Sequence, residues 1–162
     1  DIISGKTVII NKGPLRTALQ ASISLPGIFS PVAYNGWLLV DGGVTNLVPV
    51  GGAKQLGADF VLAVDVSSRK ILSKFKSGLE INERCNKIAH NVLTDIQLQG
   101  ASVILRPKVG HIHWANFSKM EFCVKCGYQS TLDNLGRIKL ALAGRSLSHH
   151  IKTFFGLKKY LK

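Results

Sequence analysis

The run Phe60-Val61-Leu62-Ala63-Val64-Asp65-Val66 constrains this chain more than any other feature. A strand apolar on both faces has to be covered on both faces, which is the situation of a parallel sheet flanked by helices. Trp37-Leu38-Leu39-Val40 is a second continuous apolar run and reads as a buried strand. Residues 7–10 and 103–105 add two short strands rich in Val and Ile. Helical signals alternate with them. Pro14 opens a helix to about Ala21, with Leu15, Ala18 and Leu19 at helical spacing. Pro49 opens another to Leu56, stopped by Gly57. A long helical region spans 70–98, with Ser77-Gly78 as an interruption, and a last one spans 117–155, with a break near Gly127. Residues 22–36 carry Pro26, Gly27, Pro31, Asn35 and Gly36 and read as loop and turn. The fold class is α/β, with a mostly parallel sheet flanked by helices. The strands are few for a sheet covered on both faces, which suits an incomplete one.

The length of 162 residues suits one domain, and 46% hydrophobic against 19% charged residues excludes a disordered chain. No apolar run approaches the ~20 residues of a membrane-spanning helix. The chain opens Asp1-Ile2-Ile3-Ser4-Gly5, with no signal-peptide pattern, and its only Met is Met120, a start that suits a fragment. Cys85, Cys123 and Cys126 are too few, and odd in number, for a disulfide scaffold; they favour a reducing, cytoplasmic compartment. The net charge of +12, from 21 Lys and Arg against 9 Asp and Glu, favours anionic partners. No nucleic-acid motif accompanies it, so nucleic acid is not the expected partner. Residues 149–162 place Ile151, Phe154, Phe155 and Leu157 among Lys152, Lys158, Lys159 and Lys162. This basic amphipathic tail suits either an anionic membrane surface, with peripheral attachment, or packing on the domain formed by residues 1–148.

The ordered blocks between Gly13 and Val66 carry a resemblance. They begin with residues 21–32, which include Ser22, Pro26, Gly27 and Pro31, and continue with Leu39-Val40-Asp41-Gly42-Gly43-Val44. Asn46, Pro49-Val50, Ala53, Leu56-Gly57-Ala58-Asp59 and Ala63-Val64-Asp65-Val66 complete the series. In order and spacing the segment resembles the patatin-like phospholipase family. Weaker likeness extends to residues 1–7 and to Ile104-Leu105-Arg106-Pro107 and Gly127-Tyr128. The resemblance implies part of a three-layer α/β fold and a Ser-Asp dyad acting on phospholipids or other acyl esters without metal or organic cofactor. It places Asp41 as the dyad carboxylate and general base, with Gly42, Gly43, Ser22 and Pro26 as supporting motif. The family's nucleophile lies in a Gly-x-Ser-x-Gly turn, which these 162 residues do not contain; Gly144-Arg145-Ser146-Leu147-Ser148 comes nearest. The serine and the Gly-rich oxyanion loop are therefore expected in an upstream half, and the chain by itself is expected to be inactive. The alternative is a non-catalytic remnant that binds lipid or a partner protein.

Asp41 also has a reading independent of family. A carboxylate at the C-terminal edge of a buried strand lies where α/β sheets form ligand crevices, and a serine hydroxyl needs such a base to accept its proton. Asp-Gly is equally a favoured turn pair. Ser22 and Ser24 are expected to shape the loop or cap backbone groups. Asp65 reads as a strand-end residue that binds backbone or a cation from a neighbouring helix. Cys123 and Cys126, with His111 and His113 nearby, match half of a zinc site at most, and no metal is expected.

Overall fold

A computed structural model describes residues 1–69, 74–113 and 115–144. The described residues fall into two units, one within Asp1–Asp59 and Ser73–Gly100, the other within Phe60–Leu72 and Ala101–Lys162. The tail at 149–162 and Ser146 lie outside the described residues.

The first unit opens with α1 (Leu15–Ser22), directly after Pro14. Proline suits that position because a helix start leaves its first N–H groups unpaired in any case. The Pro14 carbonyl accepts from Thr17 and Ala18. At the far end the Ser24 hydroxyl returns to the Gln20 carbonyl at 2.7 Å, and Ala21 is the buried residue of the helix.

A hairpin follows: β1 (Val32–Tyr34) and β2 (Trp37–Leu39) pair antiparallel, with Val32 opposite Leu39 and Tyr34 opposite Trp37. Asn35 and Gly36 both have positive φ, 48° and 84°, as a two-residue type I′ turn requires. Two expectations change here. Residues 32–34 form a strand where loop was expected. Trp37–Leu39 lies in a hairpin, with Trp37 exposed and only Leu39 buried. Its apolar run therefore faces a core on one side only.

After Asp41 a short 3-10 turn (Gly42–Val44) leads to α2 (Val50–Gln55), which Pro49 precedes and Gly57 ends at φ +93°. The longest helix among the described residues is α3 (Gly78–Leu98). Ser77 caps it by accepting from the Glu80 N–H, and Glu80 reaches back to the Lys76 N–H at 2.8 Å. Thr94 and Leu98 are its buried residues, with Leu98 only 2% exposed. Residues 7–10 do not form the expected strand. They run beside the loop after Asp41 and are tied to it by side chains, since the Thr7 hydroxyl bonds Thr45 at 2.8 Å and Asn46 at 2.7 Å.

The second unit is built on β3 (Leu62–Val64) and β4 (Val103–Leu105), paired parallel with Leu62 opposite Val103 and Val64 opposite Leu105. Asp65 N–H to the Leu105 carbonyl and Ser102 N–H to the Val61 carbonyl lengthen the ladder at its ends. Val61, Ala63, Val103 and Leu105 are buried, but Leu62 and Val64 are 40% and 47% exposed. The expected two-sided burial of Phe60–Val66 is thus replaced by alternation, because a two-stranded pair offers one packed face. After a 3-10 turn at Phe117–Lys119, α4 (Met120–Asp133) runs through Gly127 without a break. Thr131 bonds the Gly127 carbonyl, and the interruption falls at Asn134 before helical residues 135–144. The class is α/β as read from the sequence, with a small parallel pair bordered by helices.

Candidate functional site

Asp41 follows β2 by two residues and is the N-cap of the 3-10 turn. Its Oδ1 accepts from the Gly43 N–H at 2.6 Å, and its backbone N–H donates to the Ser24 carbonyl at 2.9 Å. One end of the residue is therefore tied to the exit of α1 and the other to the turn it caps. The carboxylate is half-buried, and among the described residues only Oδ1 takes part in a hydrogen bond. The carboxylate is held by its own turn. The edge of a parallel sheet, which the sequence suggested, does not position it, since β2 belongs to an antiparallel hairpin.

The two glycines differ in what they do. A Cβ on Gly43 would lie 2.9 Å from Asp41 Oδ1, whereas one on Gly42 would meet nothing within 4 Å. Gly43 is thus the residue whose missing side chain lets the carboxylate close on the backbone. Pro26 and Gly27 are the central residues of a turn from Leu25 to Ile28, and Gly27 has φ +83° as the third position of a type II turn requires. Pro26 therefore shapes the loop after α1. Ser22 is the exposed last residue of α1, while Ser24, buried at 3% exposure, supplies the backbone contact to Asp41.

The bracing of the loop after Asp41 was not evident as a unit from sequence. Gln97 of α3 donates from Nε2 to the Thr45 carbonyl at 2.6 Å, and the Thr45 hydroxyl meets that of Thr7. Asn46 belongs to the resembling blocks, but its bond to Thr7 spans 39 positions and has no local signature.

Asp65 lies in the other unit and makes different bonds. It is 4% exposed, accepts from the Ser67 N–H at 3.0 Å, and pairs with Arg69 at 3.2 Å and Arg106 at 3.1 Å. Burial works against its charge, but the hydrogen bonds from Ser67, Arg106 and Arg69 outweigh burial and hold the carboxyl below the usual carboxylate range. The expected backbone partner is present; the cations come from the residue after β4 and from the loop after β3, where a helix was expected to supply them. Cys123 and Cys126 are half-buried on α4, and His111 stacks edge-on against Phe122 at 6.1 Å. Among the described residues no group of three or more His, Cys, Asp or Glu is placed to hold a metal, and no helix is long and apolar enough to cross a membrane.

Residues 2–54 match the family model described as patatin-like phospholipase. That range contains Asp41, Gly42, Gly43, Ser22 and Pro26 and ends before the Ala63–Val66 block. An uncharacterized NTE family protein of Mycobacterium bovis is 37% identical over 67 residues, covering 41% of this chain and 19% of the relative. The lysophospholipase NTE1 of Meyerozyma guilliermondii is 46% identical over 50 residues, covering 31% of this chain and 4% of its own length. The patatin-like phospholipase domain-containing protein 7 of Rattus norvegicus is 28% identical over 157 residues, covering 80% of this chain and 12% of its own length. The chain thus spans less than a fifth of the length of these curated relatives. The segment around Asp41, residues 2–54, is thus similar to the patatin-like phospholipase family.

Proposed function

We propose that this chain supplies the carboxylate half of a Ser-Asp hydrolase that cleaves acyl esters of phospholipids or related lipids. The observation that carries the reading is the fixed Asp41 carboxylate, held through Oδ1 by the Gly43 N–H inside the matched segment. Such a carboxylate keeps Oδ2 as the proton acceptor. A serine hydroxyl contributed by sequence upstream gives its proton to Asp41 as its Oγ attacks the ester carbonyl. The leaving alcohol takes that proton as the acyl-enzyme forms, and water repeats the sequence to release the fatty acid. Oxyanion donors come from the upstream half as well. The relatives' printed names, phospholipase and lysophospholipase, favour a lipid ester as substrate. The exposed apolar residues Leu15, Leu19 and Ile23 of α1 and its exit suit packing by that upstream half.

The experiment is hydrolysis of a short-chain p-nitrophenyl ester by the chain alone, by the chain joined to its upstream sequence, and by the joined protein carrying Asp41→Asn. Asparagine keeps an oxygen for the Gly43 N–H but cannot accept the serine proton. Activity confined to the joined wild type is expected. Equal turnover in the joined Asp41→Asn protein would reduce Asp41 to a turn-capping residue and leave the non-catalytic, lipid- or partner-binding remnant as the reading.

A further inference from the structure

The second unit contains a cavity of about 440 Å³ that ester hydrolysis at Asp41 does not use. Its wall joins the end of β4 to α4 and the helical residues beyond it. Arg106 and Lys108 come from the first side, Gln129, Ser130 and Asp133 from α4, and Arg137 from residues 135–144. The volume lies within the range of small-molecule sites.

Charge and hydrogen bonding give the cavity a preference. Three cations face it against one carboxylate, and that carboxylate already accepts from Gln129 Nε2 at 2.6 Å. Behind the wall, Asp65 binds both Arg69 and Arg106. The buried Asp65 also orients Arg106, since it takes the Nε–H at 3.1 Å from the rear of the guanidinium. Arg137 is set in the same way: its Nη1 donates to Asn134 Oδ1 at 2.9 Å, and Asn134 is itself anchored by Nδ2 to the Ser130 carbonyl at 2.8 Å. A guanidinium has five N–H donors, so the bond from Arg137 fixes its plane and leaves donors for a ligand. The oriented Arg137 guanidinium, the Lys108 ammonium and the Ser130 hydroxyl form a donor set suited to a tetrahedral oxyanion.

We propose that this cavity binds a phosphate group, carried either by a lipid headgroup or by a small soluble phosphate ester. The site lies apart in the sequence from the matched segment and stands or falls separately from ester hydrolysis.

The test is titration of the 162-residue chain with inorganic phosphate, followed by amide NMR shifts and calorimetry. Saturable binding with shifts centred on Lys108, Ser130 and Arg137 is expected. Arg137→Gln and Lys108→Gln, both at exposed positions, are each expected to weaken it about tenfold, the usual loss with one charged hydrogen bond. Lys87→Gln on α3 removes the same charge elsewhere and is expected to leave the affinity unchanged. Wild-type affinity in both Arg137→Gln and Lys108→Gln, or an equal fall in Lys87→Gln, would overturn the site in favour of a general effect of net charge. Circular dichroism checks that each variant is folded. Competition then identifies the source. Displacement of phosphate by phosphatidic acid vesicles, but not by phosphatidylcholine vesicles, assigns the site to a membrane headgroup; retention of phosphate in both assigns it to a soluble ester.

Discussion

Replacing Gly43 by alanine probes the Asp41 turn at its tightest point. The added Cβ would stand 2.9 Å from Asp41 Oδ1 and 3.7 Å from Leu47 Cδ2. The second distance is an ordinary contact, so the strain falls on the carboxylate. Oδ1 has to retreat by several tenths of an ångström, which lengthens or breaks its 2.6 Å bond to the residue 43 N–H. Losing a side-chain cap of this kind costs about 1 kcal/mol, which lowers the melting temperature of a chain this size by about 2–4 °C. Under the proposed role of Asp41 as base, displacing it by a fraction of an ångström up to 1 Å costs up to about a hundredfold in rate, so the joined protein is expected to lose roughly ten- to a hundredfold in ester turnover. Gly42→Ala is the matched control, because its Cβ meets nothing within 4 Å and both readouts should stay near wild type. The assays are thermal unfolding of the chain and p-nitrophenyl ester hydrolysis by the joined protein. Equal effects of the two substitutions, or full stability and activity in Gly43→Ala, would refute the claim that close approach at Gly43 fixes the carboxylate.

Two further outcomes are expected. Asp65→Asn should destabilise the chain by about 1–3 kcal/mol at pH 7, a figure kept small because Arg69 and Arg106 are each more than a third exposed. Since the folded-state pKa of Asp65 is lowered, its contribution is present above the unfolded carboxylate value and is lost as pH falls below about 4 through the folded value. Denaturant curves should therefore show wild type and Asp65→Asn converging in acid; a gap that widened there would contradict the assigned bonds. Leu98→Ala, at a 2% exposed position near the end of α3, should cost about 2–5 kcal/mol through the cavity it leaves, while Leu79→Ala, 82% exposed at the start of the same helix, should change stability little.

The sequence by itself determined the features that depend on a few neighbouring residues. Pro14 and Pro49 stand immediately before α1 and α2, because a missing N–H acts within one turn, whereas Ser77-Gly78, which reads as an interruption of a helical region over 70–98, is the start of α3. Asp41-Gly42-Gly43 was legible for the same reason, since Asp41 bonds a residue only two positions away. The Asn35-Gly36 pair carried an equally local hairpin signal, but Pro26, Gly27 and Pro31 nearby made the whole stretch read as loop, and β1 was missed. Tertiary structure decided what depends on distant partners. An apolar run such as Phe60–Val66 announces a strand but not how many neighbours it will have, and among the described residues its pairing with β4 leaves Leu62 and Val64 exposed. Asp65 meets Arg106 across 41 positions, and Gln97 meets Thr45 across 52. No local pattern encodes such contacts, because they exist only once the chain has brought separate segments within hydrogen-bond reach, and the basic cavity between β4 and α4 follows from the same cause.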